Sequence, residues 1–261
     1  FWNEIPGAGE LVWSWHIGLL CDELQKVAVR VFAGMPRLYD LVINISPGTS
    51  KSSIASILFQ PWTWITMPQC RHLTATHTEL LGLDLSAKSR HLVLSEKYQV
   101  HFPHVKLRHD QEAKGYWANT MGGDRLTCTI AGKSPMGFHA HLLGMDDPID
   151  PKKAVSDLEL KAAREFTNNI LPTRKVNKAV SVTYLIQQRL HEGDPSGVML
   201  ERAKNGGAPI RHICLPARLA DNVSPVELRD EYVNGLMDPV RLGEDVLKEA
   251  EINSRYGFSG Q

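Results

Sequence analysis

The run Leu41-Val42-Ile43-Asn44-Ile45-Ser46-Pro47-Gly48-Thr49-Ser50-Lys51-Ser52-Ser53 constrains this chain more than any other segment. Its first five residues are apolar apart from one Asn, which suits a strand covered on both faces in a parallel sheet. Beyond it, Ile54, Ile57 and Leu58 fall at helical spacing, so Lys51 is expected to open a helix. A buried strand, a turn of small residues and a helix are the frame of a phosphate-binding P-loop. In that frame backbone N–H groups and the helix N-terminus face the phosphates, the Lys reaches the outer phosphates and the next hydroxyl holds magnesium. The strict pattern G-x-x-x-x-G-K-[ST] is not met, because Ile45 and Ser50 occupy the glycine positions. As a bare string the segment fits a Ser/Gly-rich turn before an ordinary helix equally well. The flanking strand and helix favour a nucleotide cradle made of Ser46, Pro47, Gly48, Thr49, Ser50, Lys51, Ser52 and Ser53.

Such a cradle needs an acid at the end of another strand of the sheet. His141-Leu142-Leu143-Gly144-Met145 is an apolar run that leads directly into Asp146-Asp147-Pro148. Alone, Asp-Asp-Pro is a turn. At a strand end downstream of a P-loop, the first acid is expected to hold Mg2+ together with Ser52, and Asp147 to position the water that attacks ATP.

The remaining chain alternates between the two periodicities. A helix from Ser14 carries Ile17, Leu20, Cys21, Leu24, Ala28 and Val31 and ends near Gly34-Met35-Pro36. Pro61 is expected to kink or end the helix opened by Lys51. Then follow a strand at 72–76, a helix over about 78–95, a hairpin pairing 116–120 with 126–130, the acidic strand, and a helix over about 151–169. A strand at 180–186, a helix at 195–204 and a strand at 212–215 complete the series. This order predicts an α/β P-loop fold with a mainly parallel central sheet flanked by helices, and the family that these motifs resemble implies the ASCE type of P-loop NTPase. The ATPase domain is expected over 1–217. Residues 218–261, acidic and interrupted by Pro225 and Pro239 with a helical segment near 240–252, are expected to form a linker or small lid.

Composition narrows the class. The hydrophobic share of 43% and charged share of 22% exclude a disordered or fibrous chain. No run approaches the ~18 apolar residues of a membrane helix. The opening FWNEIPGAGE lacks the basic-then-apolar order of a signal peptide and is read as a trimmed boundary. Cys21, Cys70, Cys128 and Cys214 form no C-x-x-C pair, which argues against zinc or disulfides and for small core residues in a reducing compartment. Residues 221–251 hold nine acids and three bases, leaving 26 Lys and Arg against 20 Asp and Glu elsewhere, a balance that permits a nucleic-acid partner. His139 and His141 share a strand face near two acids, yet His141 is expected to begin the buried strand. Trp15 and His16, in the helix before the P-loop, are expected near the adenine.

Taken together these segments resemble the large terminase subunit of tailed bacteriophages and related prophages. The resemblance runs through Trp15-His16-Ile17, Asp22-Glu23-Leu24, INISPGTSKS at 43–52, FQPWTW at 59–64 and RHLTATHTELLGLDLSAKSRHLVLS at 71–95. It continues through NTMGGDRLTCTIAGK at 119–133, MDDPIDPKKAVSD at 145–157, IQQRLHEGDPSG at 186–197, CLPA at 214–217 and YGFSGQ at 256–261. In that family the loop commonly reads Pro-Gly, two variable residues, then Lys-Ser, which accommodates Ser50. The resemblance implies an ATP-driven motor, a homo-oligomeric ring and by family a pentamer, that translocates double-stranded DNA into a procapsid. It would act in the cytoplasm of an infected bacterium, docked transiently on the procapsid with a portal protein and the small terminase subunit as partners. By the same resemblance Lys51 contacts the γ-phosphate, Ser52 and Asp146 hold magnesium, Asp147 activates water, and Gln188 couples phosphate loss to movement. Two departures matter. Relatives carry Thr-Gly-Arg-Gly where this chain has Met136-Gly137-Phe138-His139, so Arg125 becomes the substitute candidate for a charge-stabilising finger, against a plain hairpin role. The water-positioning acid is Asp where many such ATPases use Glu. Relatives also pass into a nuclease domain, but 218–261 offers no spaced carboxylates for two metals, so no nuclease activity is expected of this stretch. A helicase-like or repair P-loop ATPase, or a degenerate nucleotide-binding scaffold, are the alternative readings.

Overall fold

In a computed structural model the described residues are 1–132 and 135–257. Lys133 and the last four residues of the YGFSGQ segment lie outside them. Eight strands form one sheet: β1 (Asp40–Ile45), β2 (His72–Thr76), β3 (Leu107–Ala113), β4 (Tyr116–Asn119), β5 (Asp124–Thr129), β6 (Leu142–Asp146), β7 (Val182–Gln187) and β8 (Ile210–Leu215). Their spatial order is β3-β4-β5-β2-β6-β7-β1-β8. Strands β5, β2, β6, β7, β1 and β8 run parallel, and β3 and β4 form an antiparallel extension at one edge. Strand β7 lies between β1 and β6, so the P-loop strand and the acidic strand are separated by one inserted strand, as in the ASCE class. The sheet also gains β3, a polar edge strand whose sequence carries no alternating apolar signal.

Period-two alternation sends Val42 and Ile43 to opposite faces, and each joins a different core. One face is covered by α1 (Trp15–Phe32), by the helix that follows the P-loop, and by α3 (Glu79–Leu94); Leu20, Leu24, Ile43, Leu142 and Ile186 meet there. The other face is covered by α5 (Asp157–Glu165) and α6 (Pro195–Lys204), where Phe166 and Met199 pack on Leu143 and Leu185. Every residue of β1, β2, β6 and β7 is buried, which suits the apolar runs of β1, β6 and β7, while β2 buries His72, Thr74 and Thr76 as well. Cys21 departs from the expected core position: it is exposed on α1.

Of the kink or end expected at Pro61, the end does not occur, because the helix after the P-loop runs on through it. A π segment over Ser53–Leu58, in which the Phe59 N–H donates five residues back to Ile54, leads straight into α2 (Phe59–Thr66). A proline withholds the N–H that a carbonyl four or five residues back would take. Those carbonyls belong to Ile57 and Ser56, and a side chain from β5 donates to that of Ser56 instead. Wider i→i+5 turns and donors from neighbouring elements are the usual means by which a helix passes such a residue. The helix expected over 151–169 is likewise subdivided, α5 being preceded by a 3-10 turn at Pro151–Lys153 and followed by a π segment at Phe166–Ile170. A short helix, α4 (Glu96–His101), follows α3.

The stretch from 218 runs along the α1 edge. Val223, Leu236, Met237 and Leu242 are buried, the Met237 N–H donates to Ala217, and α7 (Glu244–Gly257) is tied back by Arg218, which meets Glu244 at 3.1 Å and also pairs with Glu251.

Candidate active site

The C-terminal ends of β1 and β6 bring the two predicted motifs together. After Ile45 the chain turns through Gly48 at φ +77° and Ser50 at φ +62° before Lys51 begins the helix. Ser50 therefore holds the left-handed conformation that makes glycine the strict motif's choice at this position. The Thr49 hydroxyl closes the loop on the Ser46 carbonyl at 2.8 Å. The Thr49 carbonyl is met at 3.1 Å by Nε2 of His16, a fully buried ring whose Nδ1 lies 3.0 Å from the Ser14 hydroxyl. Burial lowers the His16 pKa, so the ring is neutral at pH 7 and donates from Nε2 to a carbonyl that only accepts. Ser14 precedes α1, but its side chain serves this ring and not the helix backbone. Trp15 donates through Nε1 to the Met237 carbonyl at 2.9 Å. Trp15 and His16, expected near an adenine, are thus both committed to protein partners that join α1, the loop and the C-terminal stretch.

Five side chains converge beside the loop. Lys51, only 6% exposed, places Nζ 2.7 Å from Asp147 Oδ2. The Ser52 hydroxyl donates to Asp146 Oδ1 at 2.9 Å, and the Ser56 hydroxyl to Oδ2 at 2.6 Å. Asp146 is 1% exposed. Burial first, and the charge of Asp147 second, push its pKa up to about 6 against the pull of the two serines and Lys51. Ser52 and Asp146 offer adjacent hard oxygens, one hydroxyl and one carboxylate. That donor set suits magnesium, which takes few protein ligands and completes its shell from phosphates and water. Among the described residues no group of three His, Cys, Asp or Glu side chains could hold a metal by itself. His141 accepts the Arg71 N–H at Nδ1 as it enters β6.

Asp147 leaves β6 at φ +40°, again a left-handed non-glycine residue. Three contacts fix it: its N–H donates to the Ile186 carbonyl at 3.0 Å, its Oδ1 accepts the Gln188 N–H at 3.1 Å, and its carbonyl accepts from His77 Nδ1 at 2.8 Å. Gln188 therefore reaches the acid through its backbone, at the end of the inserted strand. His77 escaped the sequence reading. Its signal was its place directly after β2, the neighbour of β6.

Arg125 does not lie where a finger would. It is 1% exposed, beneath the P-loop helix, with Nη1 donating to the Ser56 carbonyl at 2.7 Å and to Gln60 Oε1 at 3.2 Å. A guanidinium enclosed in this way cannot reach a neighbouring subunit's nucleotide, and the finger expectation is corrected accordingly. Nor is it a hairpin ion pair, the role filled by Arg71 with Asp124 at 2.9 Å.

No family model and no curated protein sequence matches the chain. Among solved structures it is similar to the large terminase of bacteriophage HK97, with a TM-score of 0.57 and 12% identity, covering 97% of this chain and 50% of that one. A hypothetical ATP-dependent RNA helicase from Sulfolobus tokodaii follows at 0.39 and 10% identity, covering 74% and 56%. The large terminase of a thermophilic bacteriophage, in complex with ADP, follows at 0.37 and 12%, covering 73% and 44%. Only the first is close enough to bear on architecture. The chain has the P-loop fold seen in that phage large terminase, spanning half its length. The likeness read from the motifs is thereby met at the level of fold. No helix among the described residues is long and apolar enough to cross a membrane.

Proposed function

We propose that this chain is the ATP-hydrolysing motor domain of a viral DNA-packaging terminase. The observation that supports hydrolysis is the convergence of Lys51, Ser52, Asp146 and Asp147 at one end of the parallel strands, with contacts of 2.7 and 2.9 Å between loop and acids. The turn at 46–53 binds the phosphates through backbone N–H groups, and Lys51 neutralises the outermost phosphate. Magnesium, held by Ser52 and Asp146, supplies charge neutralisation on the phosphate oxygens when bound. Asp147 orients the attacking water and accepts its proton; the Ile186, Gln188 and His77 contacts hold the carboxylate at the cradle's mouth. Lys51 and Asp147 engage each other at 2.7 Å, so a phosphate in the cradle competes with the carboxylate for the ammonium and leaves the carboxylate for water. The Gln188 N–H follows that carboxylate, which gives the end of β7 a path from hydrolysis to movement.

The partners belong to the same proposal: double-stranded DNA as cargo, a procapsid portal and a small terminase subunit as docking partners, and a ring of copies of this chain in the host cytoplasm. The test is ATP turnover by the chain alone, with double-stranded DNA, and with procapsids. Turnover that requires Mg2+ and Lys51 and rises on procapsid docking supports the motor. Stimulation by nucleic acid with indifference to procapsids would instead identify a helicase-like ATPase.

A further inference from the structure

Among the described residues Arg125 is the largest charged side chain buried in the core, and no finger role accounts for it. Register places it on the face covered by the P-loop helix, because Arg125 pairs with His72, and His72 with Leu142, which packs in that core. Desolvation lowers its pKa only to about 10, so the guanidinium remains charged at neutral pH. Among the described residues no carboxylate is in hydrogen-bond contact with it, and a buried cation of this kind is expensive and needs compensating contacts. Its hydrogen bonds among the described residues go to the Ser56 carbonyl at 2.7 Å, Gln60 Oε1 at 3.2 Å and the Thr127 hydroxyl at 3.4 Å, while Nη2 is buried with no hydrogen-bond partner among them.

The Ser56 carbonyl is a special acceptor. It lies five residues before Pro61, which has no N–H to give, and within the π segment Ser53–Leu58. The same residue's hydroxyl donates to Asp146 Oδ2 at 2.6 Å. Ser56 is thus held from behind by Arg125 and faces the acid in front. The neighbouring carbonyl of Ala55 receives the Tyr184 hydroxyl at 3.4 Å, so two buried side chains from the sheet supply donors to this turn.

We infer that Arg125 is a positioning residue for the metal-binding carboxylate, fixing the Pro61-containing turn so that Ser56 holds Asp146 in register with Ser52. The inference rests on the nucleotide-site reading above and assigns Arg125 a role within one subunit. Arg125 acts through Ser56, whose carbonyl it holds and whose hydroxyl meets Asp146. Loss of the guanidinium lets the turn relax, and Asp146 loses one of its two serine donors.

A double-mutant cycle tests this on the full chain with Arg125→Met, Ser56→Ala and the pair combined, plus Arg125→Lys. The first readout is equilibrium binding of a fluorescent ATP analogue as a function of Mg2+. The second is urea unfolding of the ligand-free chain followed by tryptophan fluorescence. Arg125→Met and Ser56→Ala are each expected to raise the half-saturating Mg2+ concentration roughly tenfold, the effect of losing about one hydrogen bond to a charged group. The double variant should be no worse than either single, and Arg125→Lys, which keeps one donor for the Ser56 carbonyl, should recover part of the loss. The unfolding midpoints should show the same non-additivity. Should Arg125→Met fail to fold, Arg125→Lys combined with Ser56→Ala completes the cycle. An unchanged Mg2+ requirement in a destabilised Arg125 variant, or effects of Arg125 and Ser56 that multiply, would overturn the inference. Absence of Mg2+-dependent binding in the unsubstituted chain would overturn the nucleotide reading itself, a separate and recognisable result.

Discussion

Replacing Asp146 with Asn should make the ligand-free protein more stable while disabling it. The carboxyl is fully enclosed, and its pKa rises from the ordinary 3.8 to about 6. The native state therefore holds this proton more tightly than the unfolded chain, and stability falls as pH rises between about 4 and 6. At ~1.4 kcal/mol for each pH unit of separation, keeping the group ionised above pH 6 costs roughly 3 kcal/mol. Asparagine has no such penalty, and the rotatable hydroxyls of Ser52 and Ser56 can satisfy both its oxygen and its NH2 group. Allowing about 1 kcal/mol for an imperfectly matched amide, Asp146→Asn should gain roughly 2 kcal/mol at pH 7.5. For a chain of this size that raises the melting temperature by about 4 to 8 °C. The assay is thermal unfolding of both proteins from pH 4 to 8, read as their difference so that His16 and other titrating groups cancel. The gap should be full at pH 7.5 and close toward pH 4. With magnesium and ATP at ~100 times the dissociation constant, the unsubstituted chain should gain about 2.7 kcal/mol and the variant little, reversing the order. A gap independent of pH, or a variant less stable at pH 7.5, would refute the claim that burial of an ionised carboxylate sets the local energetics.

Lys51→Ala should reduce nucleotide binding or turnover by at least about a hundredfold, since the loop has no second cation; unchanged turnover would remove the P-loop assignment. Asp147→Asn should retain bound ATP but stop hydrolysis, measured as binding by fluorescence alongside phosphate release; equal loss of both would show that the two acids do not divide the roles given them. Ser50→Gly should relieve a left-handed serine worth roughly 1–2 kcal/mol against ~0.5–1 kcal/mol of added chain entropy, leaving a small gain in urea midpoint with turnover preserved. A lower midpoint would mean that the serine hydroxyl contributes more than its backbone costs.

What the sequence disclosed was whatever depends on near neighbours in the chain. The P-loop frame and the acidic pair are written in contiguous strings, and both appear where strand and helix periodicity place them. Long-range partners left weaker traces. His77 and Gln188 meet Asp147 only because β2 and β7 flank β6, a pairing that no local pattern encodes. Arg125 sits in a hairpin whose turn chemistry is plain, yet its side chain serves a helix 65 to 69 residues earlier, so the sequence offered a surface role. Pro61 fails as a helix terminator for the complementary reason: the rule assumes that the lost N–H goes unreplaced, and here the neighbouring strand supplies a donor. The exposure of Cys21 follows the same logic, since helical spacing names a stripe but not its edge. The departures from strict motifs are the most informative positions. Ser50 and Asp147 both hold backbone angles that glycine would adopt more cheaply, and both lie within the mouth of the cradle. Strain of that kind persists only where surrounding contacts over-determine it. For Ser50 these are the His16 and Thr49 contacts of the loop, and for Asp147 the three bonds to Ile186, Gln188 and His77. A loop that merely capped a helix would have no reason to be held so firmly, whereas one that must present backbone N–H groups to a phosphate and an acid to water requires it.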